Sequence, residues 1–223
     1  MAMKLRHTEI GLPAGETWLD GILAHHPEVP GLIVQLERGG AALRTSRGAF
    51  INDALKAAGF ATFHVGLLSH DEEKRIPEQW HHVAALTSRA YAVLEWIAHQ
   101  PALAKLPIGM IGRDTAAAAM IRVAARDDTP LKALVSRSGR PDFAGLEPLE
   151  ALRVPIQFVV GELDEEGPGP NRMAHDRMTC ERELVIIPGA SHVFEELGTM
   201  EEATRHIVEW FQRWMPPNPP EAA

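Results

Sequence analysis

Three residues able to share one piece of chemistry follow apolar runs in the order aspartate, aspartate, histidine. Asp114 comes after Ile108-Gly109-Met110-Ile111-Gly112. Asp164 comes after the run Val154 to Val160 and the link Gly161-Glu162-Leu163. His192 comes after Leu184 to Ile187 and the link Pro188-Gly189-Ala190-Ser191. Short apolar runs of this kind read as strands buried on both faces, and in parallel sheets ligands bind at the carboxyl ends of the strands. The segment Gly112-Arg113-Asp114-Thr115-Ala116 passes from such a strand, through a tight turn, into an Ala-rich helix. That is the layout of a nucleophile elbow, whose strained turn is flanked by small residues, here Gly112 and Ala116. The three stand in the order elbow, acid, histidine, the chain order of a nucleophile, acid and histidine triad.

An aspartate at the elbow changes the reaction. A serine needs a histidine to take its proton as it attacks. A carboxylate is already charged, but its attack on an ester carbonyl gives an anhydride, which is uphill. Asp114 therefore suits attack on a saturated carbon, displacing a halide or opening an epoxide. His192 then activates water to hydrolyse the aspartyl ester.

The elements that must hold these residues alternate as strand and helix. Thr17 to Leu23 reads as a strand of an opening β-hairpin, with His25-His26-Pro27-Glu28 as a polar turn. Gly31 to Leu36 and Ala61 to Leu68 read as buried strands on either side of a helix from Gly48 to Ala58. The charged stretch from Ser69 to Pro77 reads as a solvated connection. A long helix is expected over Glu78 to His99, with Trp80 at its start as a surface aromatic. Leu131 to Ser136 adds a strand, and helices are expected at Pro170 to Thr179 and Met200 to Trp214, with Trp210, Phe211 and Trp214 packing on the sheet. The pattern predicts one domain over residues 1–215 and a fraying tail over 216–223.

These pieces resemble the dienelactone-hydrolase-like branch of the α/β-hydrolases. The resemblance rests on Gly109 to Ala117, Val135 to Asp142, Gly161 to Asp164 and Pro188 to Glu196, and spans Gly31 to about Trp210. It implies an α/β-hydrolase fold: a mostly parallel sheet of about eight strands, the first two an antiparallel hairpin, with helices on both faces and no large cap domain. It also implies Asp164 as triad acid, in preference to Asp142, and His192 as triad base. The chain departs from the family twice. Asp114 stands where a serine or cysteine is usual. Glu37-Arg38 stands where a His-Gly pair helps form the oxyanion hole, and a Glu there opposes a forming oxyanion. The usual halide-holding Trp after an aspartate nucleophile is Thr115 here, and the single tyrosine, Tyr91, cannot supply the tyrosine pair of epoxide hydrolases. Thr115, Glu37, Arg38 and Arg113 are the expected oxyanion-hole or pocket residues, with Arg38 and Arg113 pairing the carboxylates.

The chain has 223 residues and a formal net charge of -8. Nucleic-acid binders carry a basic field, so nucleic acid is not expected as a partner. The lone cysteine, Cys180, excludes an intrachain disulfide and reads as a bystander thiol. No apolar stretch reaches the roughly 18 residues of a membrane span, and no signal peptide is apparent. The expectation is a cytoplasmic protein, monomer or homodimer, acting on a small molecule without metal or cofactor. The alternative is a catalytically inactive member of the fold that binds or regulates.

Overall fold

The structure is a computed structural model that describes residues 6–75 and 82–216. One eight-stranded sheet runs through them. Its strands are β1 (Arg6–Ala14), β2 (Thr17–His25), β3 (Leu32–Gly39), β4 (Ala61–Leu68), β5 (Ile108–Asp114), β6 (Leu131–Gly139), β7 (Ile156–Gly161) and β8 (Arg182–Ile187). The spatial order is β1-β2-β4-β3-β5-β6-β7-β8. β1 and β2 are antiparallel to each other, β2 is antiparallel to β4, and the remaining pairs are parallel.

The hairpin differs from the sequence expectation in one respect. β2 turns back on β1 through Gly15 and Glu16, whereas His25 and His26 lead onward to β3. β1 is an edge strand exposed along most of its length, with Leu12 and Ala14 as its buried residues. It carries almost no hydrophobic alternation to read, and its Pro13 is tolerated because edge strands leave donors unpaired.

The helices are α1 (Ser46–Ala57), α2 (His70–Arg75), α3 (Val83–Ala98), α4 (Thr115–Ala124), α5 (Leu146–Ala151), α6 (Pro168–Arg177) and α7 (Thr199–Trp214). They cover both faces. On one, Ile51 and Leu55 of α1 and Ile207, Trp210 and Phe211 of α7 pack on Ile33, Ile111, Val135 and Val159. On the other, α3 and α4 bury Leu86, Val93, Ile97, Met120 and Ile121 against Val34, Met110 and Leu134. The expectation that Trp210 and Phe211 pack on the chain's own sheet holds. Gly109 makes room for α7: a Cβ there would lie 2.6 Å from the Phe211 ring.

The charged stretch after β4 forms α2, and its Glu72 is ion-paired with Arg89 of α3. α3 begins at Val83, and Trp80 and His81, like the tail residues 217–223, lie outside the described residues. No helix among the described residues is long and apolar enough to cross a membrane. Cys180 is buried between α6 and β8, where burial pushes its thiol up, away from thiolate chemistry.

Candidate active site

The carboxyl ends of β5, β7 and β8 bring Asp114, Asp164 and His192 together. Asp114 ends β5 and precedes α4 with φ 49° and ψ -132°, a region that L side chains avoid and that costs on the order of 1–3 kcal/mol. The surroundings enforce it. The Arg140 amide donates to the Asp114 carbonyl at 2.9 Å, and the strand pairing with β6 shifts register between Arg113 and Asp114. Gly112 lets the turn close, since a Cβ there would meet Ala117 Cα at 2.6 Å. The Ala run that follows keeps α4 tight on the sheet. Thr115 begins that helix, whose N-terminal dipole favours the Asp114 charge.

The other two residues sit on loops stitched to each other. The Leu163 amide donates to the Ala190 carbonyl at 2.9 Å, and the Gly189 amide donates to Glu162 Oε2 at 2.8 Å. Ser138 Oγ donates to the His192 carbonyl at 2.6 Å, tying the histidine loop to the end of β6. Gly167 leaves space beside the Asp164 carboxylate, where a Cβ would lie 2.5 Å from Oδ2.

His192 lies between two carboxylates. Its Nδ1 is 2.8 Å from Asp164 Oδ2 and its Nε2 is 2.9 Å from Asp114 Oδ1. The hydrogen bond to Asp114, with help from Asp164, raises the imidazole above its ordinary value against the opposing effect of burial. A carboxylate oxygen faces each ring nitrogen, so the protonated ring donates at both ends. Burial pushes the Asp114 carboxyl up, but the hydrogen bond with His192 and the charge of Arg113 outweigh it and hold Asp114 below the usual carboxylate range. Asp142, the other acid near a strand end, is engaged with Arg140 at 2.8 Å and not with His192.

Glu37 does not lie where the sequence suggested. It is 4% exposed and is absent from the pocket wall, so it does not face a forming oxyanion. Its Oε1 is 3.4 Å from both Arg137 Nη2 and His64 Nε2, and its Oε2 is 3.8 Å from Arg113 Nη1. Burial opposes its ionisation, but these partners together hold it below the usual range. Asn52 sets the His64 ring: its Oδ1 accepts from Gln35 at 2.6 Å, which leaves Nδ2 to donate to His64 Nδ1 at 3.2 Å. His64 Nε2 is then the protonated nitrogen facing Glu37. Arg113 bridges to the elbow, its Nε 3.6 Å from Asp114 Oδ2. Arg113 thus pairs both Glu37 and Asp114, and both it and Arg38 line the pocket.

The pocket over this site has a volume of about 510 Å³, ample for a small molecule. Arg38, Arg113, Asp114, Thr115, Asp164 and His192 line it together with Ser138, and with Arg140, Phe143 and Glu166, which the sequence reading did not single out. β6 runs three residues past its expected end, to Gly139, and that extension delivers Ser138 and Arg140. Arg137 was also missed as a site residue. Its signal was a charge inside a strand otherwise buried to its end, which demands a buried partner. Among the described residues there is no cluster of three His, Cys, Asp or Glu side chains able to hold a metal.

Comparison with known proteins agrees with this architecture. A dienelactone hydrolase from Anabaena variabilis superposes with a TM-score of 0.88 and 29% identity, covering 95% of this chain and 99% of its own. The chain has the α/β-hydrolase fold in its dienelactone-hydrolase-like form. A Xanthomonas campestris α/β serine hydrolase without a lid matches with a TM-score of 0.73 and 18% identity over 98% of this chain and 99% of that one. Est1E from Butyrivibrio proteoclasticus matches at 0.75 and 16% identity over 92% and 98%. Those two likenesses concern the fold alone, and the described residues likewise hold no large cap over the dienelactone-hydrolase-like sheet. In sequence, two Mycobacterium tuberculosis proteins named putative phosphoribosyl transferase are 33% identical over 207 residues, 93% of this chain. The chain spans about half the length of these relatives, 46%. No protein-family model matches the chain.

Proposed function

We propose that this dienelactone-hydrolase-like chain is a hydrolase of small molecules that uses Asp114 as its nucleophile, His192 as its base and Asp164 as the acid that orients the base. The observation that carries the reading is the pairing of Asp114 with His192 at 2.9 Å on a strained elbow turn. Strain of this kind persists where the surroundings over-determine it, and it collects at functional sites.

The chemistry follows from the charges. Asp114 Oδ1 is engaged by His192, so Oδ2 is the oxygen left to attack. It forms a bond to a saturated carbon, and the leaving group departs with the bonding electrons. Esterification removes the charge on Asp114 and weakens its hydrogen bond to His192, which is the largest cause of the raised imidazole. His192 then releases its Nε2 proton, which neutralises the departed anion, and becomes a base. It takes a proton from a water that attacks the ester carbonyl, while Asp164 keeps hold of Nδ1–H. Collapse of the tetrahedral adduct expels the alkoxide, which takes the proton from His192 and leaves as the alcohol, and the acid left on Asp114 passes its proton to His192, restoring the resting pair. The sum is displacement of the leaving group by hydroxyl.

One experiment tests this. A panel of haloacids, epoxides and aryl esters is offered in a single turnover in heavy-oxygen water, and the Asp114 peptide is weighed. The label enters the Asp114 carboxylate in the wild type, and His192→Ala accumulates the ester adduct with its release slowed by about 10²–10⁴-fold. Turnover that leaves Asp114 unlabelled refutes the nucleophile.

A second reading is favoured by the same imidazole. With both nitrogens donating to carboxylates, His192 has no free lone pair in the resting site, as suits a locked, non-catalytic binding protein. No turnover and no adduct across the panel supports that reading.

A further inference from the structure

The pocket over the triad is also lined by an arginine built to receive an anion. Arg140 is fixed on one side. Its Nε and Nη2 both donate to Asp142, at 3.0 and 2.8 Å, the two-pronged arrangement that defines the plane of the guanidinium. That plane lies over the Phe143 ring at 4.3 Å from its centroid. Its other edge faces the pocket, where Nη1 donates to Glu166 Oε2 at 3.0 Å. The two partners are unequal. The Asp142 side chain is 20% exposed, and that of Glu166 is 81% exposed. A pair with so exposed a partner contributes little, because water competes for both ions and the long side chain loses freedom in holding one position. Glu166 is therefore the replaceable partner of an otherwise immobilised cation.

We infer that Arg140 is the specificity-determining residue of the pocket, accepting an oxyanion group of the substrate, a carboxylate or a phosphate, in place of Glu166. The inference takes the pocket as the substrate site, as proposed above, but does not require Asp114 to be the nucleophile. Preorganisation supports it: an arginine already fixed by Asp142 and Phe143 loses little side-chain entropy on binding, and the cost falls on an exposed Glu166 that gains it. Arg38, which lines the same pocket, adds positive charge to the field that the group would enter. The departures from related chemistries fit as well. Thr115 offers no halide cradle, and Phe143 is the pocket's aromatic wall, already covered by the guanidinium. A polar group therefore matches this wall better than a purely apolar haloalkane.

The test is binding, read apart from turnover. Inorganic phosphate and acetate are each titrated into the whole chain at constant ionic strength, and shifts of the Gly139 and Gly167 amides are followed by NMR. The expected result is saturable binding of one or both anions, the tighter one identifying the class. Arg140→Gln weakens it by about tenfold or more and Glu166→Gln strengthens it several-fold, the two changes acting in opposite directions. Glu166→Gln, at an exposed position, keeps the test informative should loss of Arg140 disturb the Asp142 loop. Absence of saturable shifts with both anions overturns the inference. So does binding that neither substitution moves. Failure here leaves the labelling test of Asp114 untouched, and failure of that labelling leaves anion binding to be measured in its own right.

Discussion

Replacing Glu37 by glutamine removes one negative charge from a place that water does not reach, and the cost can be worked from its surroundings. Glu37 is 4% exposed and Arg137 is 2% exposed. Arg137, Arg113 and His64 all converge on the one carboxylate. Glutamine keeps the shape and can still accept from Arg137 at one oxygen, but Arg137 is left as a buried cation facing Arg113 with no counter-charge on that side. Breaking a buried pair by deleting one partner costs about 3–5 kcal/mol. The retained hydrogen bond points to the lower end, about 3 kcal/mol, which for a chain of this size lowers the melting temperature by roughly 6–12 °C. The total stability of such a protein is about 5–15 kcal/mol, so Glu37→Gln remains folded. The pH dependence adds a second check. The folded Glu37 carboxyl is held below its ordinary range, so its contribution is present above the unfolded value and is lost as pH falls through the folded one. The gap between wild type and Glu37→Gln, measured by urea denaturation, is then widest near neutrality and shrinks below about pH 4. The double variant Glu37→Met with Arg137→Met, which removes both charges, recovers most of the loss. A Glu37→Gln protein within 1 kcal/mol or so of wild type at neutral pH refutes this account of the cluster, against the 3–5 kcal/mol expected for a broken buried pair. A gap that does not shrink in acid refutes it too.

Asp114→Asn removes the largest cause of the raised His192, so the imidazole titrates at lower pH than in the wild type, as followed by nitrogen-detected NMR of the ring. In the wild type, a raised folded value means that the pairing contributes fully below about pH 6.5 and is lost as pH rises through the folded value; Asp114→Asn therefore flattens the alkaline side of the stability profile. An unmoved titration contradicts the electrostatic account. Gly112→Ala puts a Cβ 2.6 Å from Ala117 Cα and 2.9 Å from its nitrogen, both backbone atoms. Such overpacking is expected to cost about 1–3 kcal/mol in urea denaturation, and an unchanged stability would mean that the elbow is looser than its geometry.

What was legible in the sequence was whatever leaves a pattern. The central strands are buried on both faces, so Leu32–Gly39 and Ala61–Leu68 announce themselves as apolar runs. The elbow announces itself because a strained turn between Gly112 and Ala116 needs small neighbours. β1 left no such mark, being exposed on most of its length. Nor did α5, a single short turn of helix with Leu149 as its one buried residue. In the site, residues at strand ends were legible because topology brings strand ends together. The roles of Arg137, His64 and Asn52 were not, because pairing across β3, β4 and β6 depends on which neighbours those strands take. The strand order β4-β3-β5-β6 is a property of the sheet and not of any local window. The same gap in information explains Glu37. Its position just after the expected strand Gly31 to Leu36 suggested the pocket, but the strand runs on to Gly39 and Glu37 is directed to Arg137 and Arg113 instead, because a buried carboxylate goes to its cations.

That cluster bears on what the elbow aspartate is. Behind the elbow, Arg113 and Arg137 bring two positive charges to the single negative charge of Glu37. A serine at position 114 would leave this group with surplus positive charge beside the reacting centre. Asp114 supplies the second negative charge, with Oδ2 3.6 Å from Arg113 and Oδ1 on His192. The carboxylate is thus tied into two networks at once, the buried one through Arg113 and the solvent-facing one through His192 and Asp164. An aspartate that had merely replaced a lost nucleophile would have no reason to be matched by charge on its far side. The matching also explains how three acids can crowd this corner of a chain that is already strongly acidic. Glu37 and Asp114 share two arginines, Asp114 and Asp164 share an imidazole held above its ordinary value, and none of the three is left to repel another unopposed. Removing the charge of any one of them, by substitution or by esterification, must therefore be felt by the others. At Asp114 that is the event by which His192 would change from a donor to a base.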